Sequence, residues 1–242
     1  MDISIVIVTY NYEKYIRECI NSCLQQNCCN IKYEIIVIDD GSTDNTPNIL
    51  NQIYSDNLRF YRIANSGIEK AANYGFKRAK GKYILRVDAD DILFPNYLET
   101  IGTVLDKKYG FFYSNYSIIN SDGDYVGVMK LPRFQTKEIL NRGDFLATGT
   151  LFRSDILKET GGYNTDIVNS GLENYELVLK LIMSGISGKN ISDVLFGYRI
   201  HGKNMSKLKK ENIITNGKKL FIRKGLGNFS TNKYHPLALE VD

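Results

Sequence analysis

Three short apolar runs, each ending in polar side chains, constrain the fold of this chain most strongly. The runs are Ile3–Val8, Tyr33–Ile38 and Tyr83–Val87, and β-branched residues dominate the first two. Such runs are typical of strands buried on both faces of a sheet. Stretches with apolar residues at helical spacing, over 13–26 and 69–80, lie between them. The alternation predicts an α/β fold with a central, mostly parallel sheet.

Polar residues follow each of the three predicted strands. The segments are Thr9-Tyr10-Asn11, Asp39-Asp40 and Asp88-Ala89-Asp90-Asp91. In parallel α/β sheets ligands lie beyond the carboxyl ends of the strands, so we expect these segments to share one cleft. Clustered carboxylates repel one another unless a cation is present, and Mg²⁺ and Mn²⁺ take oxygen ligands. The pattern favours a metal–diphosphate site, whereas a single Asp-x-Asp is also compatible with a polar turn.

Composition limits the remaining classes of function. The chain has 242 residues, 43% hydrophobic and 24% charged, as in an ordinary globular protein. No apolar run has the length of a membrane span and the start has no signal-peptide pattern, so we expect a cytoplasmic protein. No Gly-rich phosphate loop follows the first strand. Cys19, Cys23, Cys28 and Cys29 lack the spacing of a zinc knuckle, and we expect reduced thiols.

The second half is less regular, and its end is basic. A strand is predicted at 111–114, a hairpin turn at 120–124 and a helix over 169–184, with Glu173 near its start. Nearly all charged residues between 199 and 224 are Lys or Arg. This tail fits either a helix packed on the sheet with a solvated face or a helix that contacts an anionic membrane surface. No nucleic-acid recognition motif accompanies the charge.

The order of the motifs resembles the inverting family 2 glycosyltransferases of GT-A fold. The segments that carry the resemblance are Ile5–Asn11, Ile38–Asp44, Asn65–Gly67, Ala71–Gly75, Asp88–Asp91, Gly161–Tyr163 and Tyr198–His201. The resemblance implies a Rossmann-like three-layer sandwich with a mixed sheet. It also implies a nucleotide-sugar half at 1–105, an acceptor half at 106–202 and a basic helical tail at 203–242.

The resemblance further implies a role for individual residues. The nucleotide base would lie against Tyr10, with the backbone around Thr9 helping to hold it, and Asn11 would be a further donor contact. Asp39 would accept a hydrogen bond from the imide N–H of the base, which favours uridine or thymidine. The other residues expected at the donor are Asp40, Asn65, Lys70, Asp88 and Ala89. Lys70 would meet the diphosphate, since Ala72 stands where the family often has Arg. Asp90 would bind Mn²⁺ or Mg²⁺, and His201 would be a further contact to the metal or to a phosphate.

The implied activity is metal-dependent transfer of a hexose or N-acetylhexosamine from a UDP-sugar, with inversion, to a hydroxyl of a glycan or lipid-linked glycan. Such a reaction belongs to cell-surface polysaccharide or glycoconjugate synthesis, and the enzyme would be cytoplasmic or peripheral at the inner face of the membrane. Inversion needs a base for the acceptor hydroxyl. The family's Glu-Asp pair reads Glu173-Asn174 here, and an amide is no base.

Several alternatives stay open at this point. The base is Glu173, Asp166 or another nearby carboxylate, and Asp91 is assigned to the catalytic set as well. Alternatively, the chain binds a nucleotide sugar with little or no transfer because of Asn174. A phosphotransferase with Asp88 as nucleophile is disfavoured, because its Asp-x-Asp motif belongs on the first strand.

Overall fold

A computed structural model describes residues 1–28, 30–142 and 148–229. Its strands are β1 (Ile3–Thr9), β2 (Tyr33–Asp39), β3 (Leu58–Arg62), β4 (Tyr83–Asp88), β5 (Ile92–Leu93), β6 (Phe111–Ile119), β7 (Tyr125–Met129), β8 (Leu151–Arg153) and β9 (Gly188–Arg199). Its helices are α1 (Ile16–Leu24), α2 (Thr46–Leu50), α3 (Ile68–Arg78), α4 (Tyr97–Val104), α5 (Thr136–Arg142), α6 (Ser154–Thr160), α7 (Glu173–Met183), α8 (Met205–Leu208) and α9 (Lys210–Lys224).

The strands form one mixed sheet in the order β3-β2-β1-β4-β8-β6-β9-β5, with β7 paired to β6. Strands β3, β2, β1 and β4 run parallel, as do β6 and β9, and the short strand β8 runs antiparallel between the two groups. The mixed α/β sheet predicted from the sequence is therefore confirmed. Thr9 pairs with Asp39 and Val8 with Asp88, which places the polar ends of β1, β2 and β4 at one edge.

The core lies on both faces of this sheet. Every residue of β1 is buried, and α3 packs so closely on it that a Cβ at Gly75 would lie 2.5 Å from Val6. Helix α1 begins at Ile16, later than expected, because Glu13 takes part in a loop contact. Its N–H donates to Asp44 Oδ2 and its carboxylate accepts the N–H of Asn45.

The second half refines three expectations. One continuous strand, β6, replaces the separate strand segments, and the predicted turn at 120–124 joins it to β7. Helix α7 begins at Glu173 and not at 169, because Asn169 and Gly171 adopt positive φ angles of 53° and 71°.

The basic tail is partly a packing helix. Helix α9 buries Ile213, Leu220 and Phe221, and the Phe221 ring stacks at 6.2 Å from Tyr175 of α7. Its Lys218 and Lys219 are exposed. The last part of the predicted tail, 230–242, lies outside the described residues. Within the described ranges, no helix is both long and apolar enough to cross a membrane.

Candidate functional site

The carboxyl ends of β1, β2 and β4 bring four carboxylates to one edge of the sheet. Asp39 ends β2, Asp88 ends β4, and Asp90 and Asp91 follow directly in the turn before β5. Asp39, Asp90 and Asp91 are buried, at 0%, 7% and 1% exposure. The strand register thus confirms that the acidic segments share one edge.

One oxygen of Asp39 accepts no hydrogen bond from any residue that the structure describes. Its Oδ1 accepts the N–H of Ser42 at 2.9 Å. Its Oδ2 lies 3.5 Å from Arg62 Nε, yet accepts no hydrogen bond from the described residues. Thr9 lies opposite Asp39 in the strand register, and its buried Oγ1 likewise makes no hydrogen bond with the described residues. Buried polar atoms are nearly always hydrogen-bonded, so these two atoms at neighbouring strand ends are candidates for contact with a ligand.

Asn11 and Asp40 hold the loops that follow β1 and β2, next to Thr9 and Asp39. Asn11 adopts φ 60°, and its Oδ1 accepts the N–H of Thr43 at 2.7 Å. The two oxygens of Asp40 accept the N–H groups of Ser66 and Gly67 ahead of α3. These contacts fix the loops, and direct contact of either side chain with a donor stays a prediction.

The other predicted donor contacts differ in exposure. Tyr10 is 44% exposed at the end of β1, as a stacking platform requires. Asn65 and Lys70 are exposed, and Ala89 is buried. Their roles remain predictions.

Asp90 and His201 lie together, although they are far apart in the chain. His201 Nε2 is 2.9 Å from Asp90 Oδ2, and the His201 ring packs 4.9 Å from the ring of Tyr15. The N–H of Lys203 donates to His201 Nδ1, so in a neutral ring Nε2 carries the proton and donates to Asp90. Coordination of a metal by Nε2 requires that proton to leave.

Arg199 fixes the turn that carries Asp90. Its Nε donates to the Asp90 carbonyl at 2.7 Å, and its backbone N–H donates to Asp91 Oδ1 at 2.8 Å. Its Nη2 pairs with Glu18 of α1 at 2.6 Å. Asp91 is therefore engaged in holding the turn, and the catalytic role assigned to it stays a prediction.

Arg86 is a site residue that the sequence interpretation missed. It lies buried in β4, where its guanidinium donates to Asp88 Oδ1 and, at 3.0 Å, to Glu173 Oε1. It thus links the end of β4 to the start of α7. The available signal was a lone arginine inside an apolar strand, since a buried charge needs a partner.

Glu173 and Asn174 occupy the first turn of α7, and both are buried. Glu173 Oε2 accepts no hydrogen bond from any described residue. Asn174 Oδ1 accepts the hydroxyl of Tyr163 at 3.2 Å. Asp166, the other candidate base, is exposed. The geometry favours Glu173 over Asp166 because only Glu173 is tied to the carboxylate edge.

Mutual repulsion and burial shift the pKa values of these carboxylates. Burial, together with Asp90 and Glu173, raises the pKa of Asp88 to about 6 against the opposing effect of Arg86. Burial, together with the charges of Asp90 and Asp88, raises the pKa of Asp91 against the opposing effect of Arg199. A divalent cation at this edge would relieve that repulsion.

The side chains that could ligate a metal at this edge suit an ion that takes its other ligands from a substrate. Among the described residues no cluster of three or more His, Cys, Asp or Glu side chains forms a protein-only metal cage. Asp90 and His201 would supply two ligands, and Mg²⁺ or Mn²⁺ commonly takes the rest from water and phosphate oxygens. Cys19, Cys23 and Cys28 are free thiols, and Cys29 lies outside the described residues.

Comparison with known proteins gives the family. The model of glycosyl transferase family 2 matches residues 4–161. UDP-Glc:alpha-D-GlcNAc-diphosphoundecaprenol beta-1,3-glucosyltransferase of Escherichia coli is 34% identical over 217 residues, 88% of this chain and 82% of that protein. Chondroitin synthase of Pasteurella multocida is 31% identical over 209 residues, 84% of this chain but 21% of that protein. The chain thus spans only about a fifth of that synthase.

Solved structures agree on the architecture. The crystal structure of S. aureus TarS 1-349 in complex with UDP-GlcNAc superposes with a TM-score of 0.74 at 23% identity, covering 92% of this chain and 66% of the other. This likeness shows a GT-A fold. The match of the family model over residues 4–161 and the 34% identity to the E. coli relative show that this chain belongs to glycosyltransferase family 2.

Proposed function

We propose that this chain transfers a sugar from a UDP-sugar to a hydroxyl of a glycan or lipid-linked glycan. The observation that carries the proposal is the shared edge of the sheet. There Asp39 Oδ2, which accepts no hydrogen bond from the described residues, and the Asp90–His201 pair flank the end of β1. The first group suits a base N–H and the second a diphosphate-bound cation. The names of the similar proteins, which include UDP-Glc and UDP-GlcNAc, support a uridine donor.

Asp90 and His201 would hold Mn²⁺ or Mg²⁺, with Asp88 at its water shell. When bound, the ion neutralises charge on the departing diphosphate. Arg86 holds Asp88 at the end of β4, and Arg199 holds the backbone of Asp90. The protein thus fixes the carboxylates in place before the donor binds.

Glu173 is the group we assign as the base. Its Oε1 is held by Arg86, and its Oε2 is left to accept the proton of an acceptor hydroxyl. Asn174 cannot accept a proton usefully but can orient Tyr163 through their hydrogen bond. On this assignment residues 1–105 bind the donor and 106–202 the acceptor.

The acceptor class and the membrane contact belong to the same proposal. The E. coli relative is named for a diphosphoundecaprenol substrate, a lipid-linked glycan. The exposed face of α9, with Lys218, Lys219 and the 78% exposed Ile222, would bring the site to an anionic membrane surface.

Nucleotide binding and turnover test the proposal. The melting temperature should rise with UDP and Mn²⁺ together and less with either alone, and Asp90→Asn should abolish the joint effect. A panel of nucleotide sugars should then yield one that releases UDP. If UDP binds but no donor on the panel is consumed, with or without glycan acceptors, the binding-protein alternative is favoured. If UDP with Mn²⁺ leaves the melting temperature unchanged, the donor site itself is wrong.

A further inference from the structure

Arg62 lies beside Asp39, the carboxylate to which we assign recognition of the nucleotide base. It ends β3 and pairs with Asp39 across the sheet. Its Nε is 3.5 Å from Asp39 Oδ2, and its Nη2 donates to the carbonyl of Ser42 at 2.7 Å. The Arg62 side chain is 51% exposed, whereas that of Asp39 is 1% exposed. An oxygen that accepts no hydrogen bond from the described residues and a half-exposed guanidinium therefore lie side by side at the edge.

This pair of groups has a defined chemical complement. A carboxylate oxygen accepts an N–H, and a guanidinium donates to a carbonyl. Uracil and thymine have the matching edge, an imide N–H flanked by carbonyls. Cytosine has the reverse pattern there, an unprotonated ring nitrogen next to an amino group. In the same position cytosine would place its ring nitrogen, an acceptor, against the Asp39 carboxylate, which is also an acceptor. Its amino group, a donor, would face the guanidinium of Arg62, which is also a donor.

We infer that Arg62 is a specificity-determining residue that, together with Asp39, selects uridine and thymidine nucleotides over cytidine nucleotides. The inference rests on the proposed function, because it names the part of the donor that this end of the site recognises. The inference adds to the proposed function a residue, Arg62, that lies outside all of the sequence motifs.

A purely structural role for Arg62 makes a different prediction. Through Ser42, Arg62 also holds the loop after β2. Loosening that loop would weaken every nucleotide alike, since UDP and CDP share the ribose and diphosphate. Recognition of the base edge changes the ratio of the two affinities. The ratio therefore separates the two roles.

The experiment is isothermal titration of UDP and CDP, each with Mn²⁺, into the full chain and its Arg62→Met variant. The wild type should bind UDP at least about tenfold more tightly than CDP, since a site built for an N–H rejects analogues that lack it. Arg62→Met should reduce that ratio by about tenfold, the usual effect of losing a hydrogen bond to a charged group. Arg62→Lys, which keeps the charge without the planar fork, should also reduce it and covers the case in which the methionine variant does not fold.

Arg17→Met is the matched control, because Arg17 is exposed on α1 and, within the described part of the chain, donates to the neutral Gln52. It should leave the ratio unchanged. If the Arg62 variants weaken UDP and CDP by the same factor, Arg62 is only a loop contact and the inference is overturned. Equal affinities in the wild type overturn it as well while leaving the donor site intact. If neither nucleotide binds, both the inference about Arg62 and the proposed function are wrong.

Discussion

Arg86 is a single positive charge buried between two carboxylates, Asp88 and Glu173. Removing one partner of a buried ion pair leaves the other charge uncompensated. Arg86→Met should therefore lower the free energy of unfolding by about 3–5 kcal/mol, measured by urea denaturation. Adding Glu173→Gln should restore part of that loss. A loss well below about 1 kcal/mol would mean that the three groups do not interact as the structure shows.

Asp88 should make stability depend on pH in a defined direction. Its pKa is about 6 in the folded chain against 3.8 in the unfolded one, so the folded state binds the extra proton between these values. The stability that Asp88 contributes is present below about pH 4 and is lost as pH rises through 6. Asp88→Asn should remove this part of the pH dependence, measured by denaturation from pH 4 to 7 without divalent metal. An identical slope in the variant would contradict the prediction.

The base assignment is tested on turnover. With the donor identified, Glu173→Gln should lower the rate of sugar transfer by about 10²–10⁴-fold while UDP affinity stays unchanged, the usual contribution of a general base. Full activity in Glu173→Gln would exclude Glu173. Asn174→Asp is the companion variant: a gain of orders of magnitude would show that the native pair is an impaired catalyst.

At the scale of single elements, the sequence predicted best what depends on local pattern. Strands β1, β2 and β4 lie within a residue of their expected bounds, because continuous apolar runs admit few other structures. The start of α1 was misplaced because Glu13 bonds to residues 44–45, a contact between distant segments. The Arg86–Glu173 pair, 87 positions apart, was missed for the same reason. The acidic strand ends were predictable, whereas the residues that hold them were not.

Helix α9 offers neighbouring residues with opposite surroundings. Phe221 is buried against Tyr175 and Phe229, and Ile222 is 78% exposed. Phe221→Ala should lower the free energy of unfolding by about 3–5 kcal/mol, whereas Ile222→Ala should change it by about 0.5 kcal/mol or less. Urea denaturation measures both. Similar losses in the two variants would mean that α9 packs by another face.

At the scale of the whole molecule, one sheet carries both halves of the proposed site. The parallel group of β1 to β4 ends in the carboxylates for the donor, and α7 brings Glu173 from the later half of the chain. Arg86 makes contact with both. The halves at 1–105 and 106–202 are therefore joined at the point where the sugar would be transferred.

The basic surface of α9 predicts binding to anionic membranes. The Lys218→Glu/Lys219→Glu variant should bind vesicles containing acidic phospholipid at least about tenfold more weakly, since each lysine near such a surface contributes ~1 kcal/mol. Flotation of vesicles measures the bound fraction. The variant Lys77→Glu/Lys80→Glu, with exposed lysines at the end of α3 and beyond it, is the control. Equal binding by both variants would leave α9 as a packing helix alone.

Arg199 connects the Asp90 turn, α1 and the β6–β7 turn through Glu18 and the carbonyl of Asn120. The backbone that carries the Asp90 carboxylate is consequently held by contacts within the folded chain. If Asp90 holds the proposed cation, little of the free energy of binding should be lost to ordering this turn. On the same assignment, a substitution of Arg199 should weaken the affinity for the metal at Asp90, although Asp90 itself is unchanged.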